Sequence, residues 1–63
     1  MSDANRAYEV ILEQYSGDSE FVESSISKAA DYVASRLGTL EDLTGDFSID
    51  DIYTAVRWIK EDA

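Results

Sequence analysis

Cysteine, histidine and proline are all missing from this 63-residue chain, and glycine occurs only three times, at positions 17, 38 and 45. Without cysteine there is no disulfide and no thiolate nucleophile. Without histidine the commonest general acid–base group is gone, and with it the usual zinc and transition-metal ligands. Without proline only the three glycines punctuate the chain, so its elements should be few and long. Basic residues are also scarce, five Lys and Arg against fourteen Asp and Glu, for a formal net charge of −9. A surface of that sign repels phosphate backbones and anionic lipid. Direct binding to nucleic acid or membrane is therefore disfavoured, and a basic protein partner is attracted. No apolar run approaches transmembrane length, and the N-terminus MSDANRAYEV lacks the basic start and apolar core of a secretory signal. The expected compartment is the cytoplasm.

What is present is enough apolar material to fold. Hydrophobic residues make up 44% of the chain, ordinary for a folded domain and too much for a disordered acidic tail. Residues 1–63 are expected to form a single helical domain. A domain of this size buries little of its surface and is marginal alone. With disulfides and zinc out of reach, helix packing, self-association in a homo-oligomer, or a hetero-complex with a partner must make up the stability.

The longest helical pattern runs from Gly17 to Gly38, GDSEFVESSISKAADYVASRLG. Val22, Ile26, Ala29, Ala30, Val33 and Leu37 lie on one stripe of a helix. Asp18 suits its start, Arg36 its end, and Gly38 its closure in the left-handed conformation. Before it, residues 3–16 form a first helix, with Asp3 as cap and a stripe of Ala4, Ala7, Tyr8, Ile11, Leu12 and Tyr15. The connection at Ser16-Gly17 is so short that the two helices should make an αα-hairpin. Residues 48–61 form a last helix, opened by Ser48-x-x-Asp51 and seamed by Ile49, Ile52, Val56 and Ile59. Between them, Thr39-x-x-Asp42 has the form of a capping box, and an extra short helical turn is expected over 40–44, stopped by Gly45. Leu40, Leu43 and Phe47 are expected to plug the open end of the hairpin. The fold class is all-α, a small three-helix bundle. Its predicted core is Tyr8, Ile11, Leu12, Tyr15, Val22, Ile26, Ala29, Val33, Leu37, Leu43, Phe47, Ile52, Val56 and Ile59.

Chemistry is harder to find. Serines abound, but no histidine is present to activate one, and Lys28 has nothing beside it in sequence to depress its pKa. Paired carboxylates run acid–base chemistry only inside a cleft, for which a chain this short has little room. No enzymatic activity and no cofactor are expected. In EDLTGDFSIDD, residues 41–51, Asp46, Ser48 and Asp50 alternate as calcium ligands do. An EF-hand loop counted from Asp46 would place Asp51 where glycine is needed and Arg57 where glutamate is needed. No metal site is expected, and Asp50 and Asp51 serve the start of the last helix.

Three features bear on binding. From Leu37 to Val56 there are five acids, Glu41, Asp42, Asp46, Asp50 and Asp51, and no base. Such a run either solvates the surface or imitates nucleic-acid charge, as an inhibitor seated in a basic groove would. On the long helix, Ser24, Ser27, Asp31 and Ser35 line the outer face with Ala30 and Ala34 beside them. Small residues there let another helix approach closely. Trp58 lies off the apolar seam of the last helix, either at a core edge or as a binding hot spot. The candidate partner-binding residues are therefore Glu41, Asp42, Asp46, Asp50, Asp51, Trp58, Ser27, Ala30 and Ala34.

Asp18, Ile26, Ala29, Ala30, Tyr32, Val33 and Gly38, followed by Ile49, Ile52, Ala55 and Val56, form a pattern with a family likeness. An acidic turn leads into a long helix with an Ala-Ala pair and an aromatic, a glycine closes it, and a helix of Ile and Ala-Val character follows. Over residues 17–59 this resembles the helical portion of the head–tail connector (adaptor) proteins of tailed bacteriophages. The resemblance implies a non-catalytic, multi-copy, protein-binding role, in a virion or in the cytoplasm of a host cell, and assigns no functional residue.

Overall fold

The computed structural model describes residues 3–62, with side chains through Glu61. It is all-α. Helix α1 spans Asp3–Tyr15, α2 spans Ser19–Glu23, α3 spans Ile26–Leu37, a 3-10 turn covers Leu40–Asp42, and α4 spans Ile49–Asp62. No strand occurs among the described residues. The principal packing pairs are α1 with α4 and α3 with α4, and α2 packs on α3. The last helix is thus the wall that the other two long helices share. Helices α1 and α3 also touch where the Tyr15 and Tyr32 rings meet edge to face at 5.9 Å.

The expected long helix from Gly17 to Gly38 is broken. Asp18 does cap a helix start, its Oδ1 accepting from the N–H groups of Glu20 and Phe21. That helix, α2, stops after five residues. Ser24 (φ −79°, ψ 156°) and Ser25 (φ −66°, ψ 166°) are extended, and the Ser25 hydroxyl restarts the chain as α3 by accepting from Lys28 N–H. Adjacent serines favour such a break because their hydroxyls offer the backbone local bonds in place of the helical ladder. The break rotates the first segment. Phe21 turns inward and is buried, while Val22, placed in the predicted core, is 57% exposed.

The core consists of Ala7, Ile11, Tyr15, Phe21, Ala29, Ala30, Val33, Ala34, Phe47, Ile52, Ala55 and Val56, with Tyr8, Val10, Ile26, Tyr32, Leu37 and Ile59 packed at its edge. Alanines form much of it, which lets the short helices approach closely. Two further members of the predicted core lie outside it. Leu12 faces partly into solvent, one residue beyond the inward row of Ala4, Ala7, Ile11 and Tyr15. Leu43 is 91% exposed, and Leu40 is exposed as well, so of the three residues expected to plug the end only Phe47 does so. The Arg6 guanidinium of α1 lies over the Phe47 ring, 5.4 Å from its centre.

The connection between α3 and α4 is a tight fold of backbone. Gly38 closes α3 with φ 78° and ψ 163°, a positive-φ conformation more extended than the expected left-handed helix and open in practice only to glycine. Thr39 is buried, and its carbonyl accepts from the N–H groups of Asp42, Thr44 and Gly45. Leu40 N–H donates to the Phe47 carbonyl at 2.8 Å. The 3-10 turn ends at Leu43, which adopts the left-handed conformation at φ 59°, ψ 21°. In place of a capping box, the Thr39 hydroxyl donates to the Asp42 carboxylate. Ser48 does cap α4, accepting from Asp51 N–H at 3.2 Å. Asp3, expected as a cap, is itself helical, within α1.

Candidate functional site

The five acids of the candidate site gather at one end of the bundle, around the 3-10 turn and the first turn of α4. They do not behave alike. The Glu41 carboxylate accepts from Ile49 N–H at 3.3 Å and so joins Ser48 in satisfying the free donors at the start of α4. Asp42 accepts from the Thr39 hydroxyl. Asp46 and Asp50 stand exposed, and Asp51 is half-buried. Among the described residues, no group of three or more metal-ligating side chains converges.

What sequence reasoning missed is the apolar surface among these acids. Leu43 is 91% exposed, Leu40 46%, Tyr53 44% and Ile49 38%. The backbone bonds Leu40 to Phe47 and Leu43 to Leu40 close this segment on itself, and the Glu41 carboxylate ties it to Ile49. Tyr53 follows Ile49 one turn along α4, on the same face. Four exposed apolar side chains thus share one end of the molecule with Glu41, Asp42, Asp46 and Asp50. The signal was present in the sequence as three apolar residues in a short acidic loop, but such residues more often fill a core than face water.

The other candidate residues are placed differently from expectation. Ala30 and Ala34 are not on an outer face. Both are buried in the core, where the close approach they permit is used within the chain itself. Ser27 is exposed but stands without them as a small-residue stripe. Trp58 is 37% exposed, with its ring 6.2 Å from that of Tyr8 on α1 at an interplanar angle of 67°.

A second cluster holds α2 in place. The Tyr32 hydroxyl on α3 donates to Asp18 Oδ2 at 2.8 Å, and the Arg36 guanidinium lies over the Tyr32 ring at 4.8 Å. Tyr15 packs on Phe21 at 5.8 Å between ring centres. From α4, Lys60 Nζ donates to the carbonyls of Phe21 at 2.7 Å and Val22 at 3.1 Å, and lies over the Phe21 ring. A cation on these carbonyls serves the end of α2, where the helix has acceptors to spare. Two depressions flank the cluster. One of ≈ 490 Å³ opens at the α2–α3 break, lined by Glu20, Glu23, Ser24, Ser25 and Lys28. The other, ≈ 170 Å³, is lined by Phe21, Val22, Ile59 and Lys60.

The Asp18 bonds make part of the stability acid-sensitive. Donation from Tyr32, helped by the Phe21 and Glu20 N–H groups and by the Arg36 charge, holds the Asp18 carboxyl below its ordinary value of 3.8 against the opposing effect of desolvation. The same bond raises the Tyr32 hydroxyl above its ordinary 10.0. Since the folded chain binds the Asp18 proton less readily than the unfolded chain, this contribution is complete above pH 3.8 and is lost as the pH falls through the lower folded value. Tyr32→Phe removes the largest cause. Its melting temperature should lie below the parent's at about pH 6, and the gap should narrow as the pH falls below 3.8. A gap that stays constant down the acid limb would show that Asp18 titrates normally.

No helix among the described residues is long and apolar enough to cross a membrane. Compared with known proteins, the chain matches no family model, no curated protein and no solved structure.

Proposed function

We propose that this chain is a small acidic protein-binding module without catalytic activity, which docks its partner through the Leu40–Tyr53 end of the bundle. The observation that carries this reading is Leu43. It leaves an apolar side chain in water, and it holds a left-handed backbone that strains an L-residue by about 1–2 kcal/mol. Asparagine or glycine would make the same turn with less strain and no exposed hydrocarbon. A residue unfavourable in both respects, beside exposed Leu40, Ile49 and Tyr53, is accounted for by a surface kept for contact. The setting implied by the connector resemblance is a structural or accessory part of a bacteriophage, acting in the virion or the host cytoplasm.

A second reading is favoured by the absence of any base from Leu37 to Val56: an inhibitor that imitates nucleic-acid charge to occupy a basic groove. The exposed leucines set among the acids, and the engagement of Glu41 and Asp42 by their own chain, favour the first.

Leu43→Asn tests the choice. The variant should fold and melt about 4–8 °C higher, for each 1 kcal/mol of strain and exposure relieved in a domain of this size. Immobilised beside the parent in a lysate of the native host, it should lose at least about nine-tenths of the captured partner, which the parent retains at 0.5 M salt. Equal capture by parent and variant would overturn the reading. A partner lost to salt, indifferent to Leu43→Asn and abolished by changing Asp46, Asp50 and Asp51 to asparagine would establish the charge mimic.

A further inference from the structure

We infer that the occupant of the Leu40–Tyr53 face is a cationic amphipathic helix belonging to another protein. The inference rests on the reading of that face as a docking surface and adds the chemistry of what docks there. Ile49 and Tyr53 stand one turn apart on α4, about 6 Å along its axis. Apolar residues at i and i+4 of a partner helix repeat at the same interval, so two successive anchors meet two successive side chains. Leu40 and Leu43 are exposed on the loop that the Glu41 carboxylate ties to Ile49.

The rim selects the partner's charge. Glu41, Asp42, Asp46 and Asp50 are exposed around this surface. Glu41 and Asp42 each use one carboxylate oxygen within the chain and keep lone pairs for an outside donor. The basic side chain seen at this end, Arg6, lies over Phe47. Lysines and arginines flanking the apolar stripe of a partner helix would complement these carboxylates and hasten encounter. The other occupants fit this charge and shape less well. A second copy would bring one acidic rim against another, with −9 on each chain. Nucleic acid and anionic lipid meet the same repulsion. An extended peptide adding to a sheet edge finds no strand among the described residues.

The probe is a synthetic 18-residue peptide with leucine on one helical face and lysine on the other. Controls are a shuffled peptide of the same composition, without the stripe, and one with every lysine replaced by glutamate. Binding is followed at 0.15 M salt through backbone amide shifts of the isotope-labelled chain. The leucine–lysine helix should shift amides within residues 40–53 and bind at least about tenfold more tightly than the shuffled peptide. Leu43→Asn should weaken it by a similar factor, and the glutamate peptide should not bind. Equal affinity for the shuffled peptide would reduce the interaction to charge attraction and overturn the proposal, as would shifts centred outside residues 40–53. Binding of the glutamate peptide at residues 40–53, sensitive to Leu43→Asn, would overturn the cationic occupant while leaving the docking face in place.

Discussion

Phe21→Ala should strip about 3–5 kcal/mol from the stability of this chain, and Val22→Ala, one position on, should leave it folded with an almost unchanged melting temperature. Phe21 is 2% exposed, stacked against Tyr15 and covered by the Lys60 ammonium. Truncating a buried phenylalanine costs about 3–5 kcal/mol, from lost burial and from the cavity left behind. The whole stability of a 63-residue domain is roughly 3–9 kcal/mol at the usual stability per residue. One substitution therefore removes from about a third of it to all of it. Val22 is 57% exposed, and truncation there should fall within about 0.5 kcal/mol of neutral. Helical circular dichroism against urea concentration measures both. A Phe21→Ala protein with a midpoint near the parent's would mean that α2 is not part of the cooperative unit.

Gly45→Ala should be the most damaging of the glycine substitutions, and Gly17→Ala the mildest. A Cβ at position 45 would lie 2.7 Å from Thr39 N and closer still to the Gly38 carbonyl carbon and oxygen. All three are backbone atoms, and they belong to the turn whose Thr39 carbonyl collects three N–H donors. The strands of the loop would have to part, which disturbs those bonds and the seat of Phe47 together. We expect a cost of about 3 kcal/mol or more, seen as a fall in melting temperature beyond about 12 °C. At Gly38 the main obstacle is the Thr44 Oγ1 atom, a side chain, added to the strain of φ 78°, so Gly38→Ala should be harmful but less so than Gly45→Ala. Gly17 has nothing within 4 Å of its would-be Cβ, and its substitution should change stability by no more than about 0.5 kcal/mol. A Gly45→Ala melt within a few degrees of the parent would show that the loop opens without cost.

These contrasts mark where the sequence was legible. Apolar periodicity placed α1 and α4 within a residue of their ends, because a strong 3.6-residue stripe bounded by caps and glycine leaves few alternatives. The same periodicity concealed the α2–α3 break. Val22, Ile26, Ala29, Val33 and Leu37 continue one stripe straight through Ser24 and Ser25, and two serines on a wet face are compatible with an unbroken helix. Phe21, one position off that stripe, could enter the core only once the break had rotated it. Gly45 reads in sequence as punctuation, whereas its necessity arises from Gly38 and Thr39, neighbours in space. For the candidate site, the run of acids was visible and the exposure of Leu43 was not, since a leucine in a loop carries no mark of which way it turns. Ala30 and Ala34 signalled close helix packing correctly but could not indicate that the chain's own core takes up that capacity.

Because α1 and α3 meet chiefly through α4, the order in which the chain leaves the ribosome matters. Everything up to Leu37 emerges before the helix on which both must lean. Before α4 has been translated the nascent segment has only the α2–α3 packing and the contacts of Tyr15 with Phe21 and Tyr32, and most of the structure should arrive in a single late, concerted step. Until that step, the unfinished chain carries its oily stripes uncovered, and its excess of negative charge opposes the approach of neighbouring nascent copies.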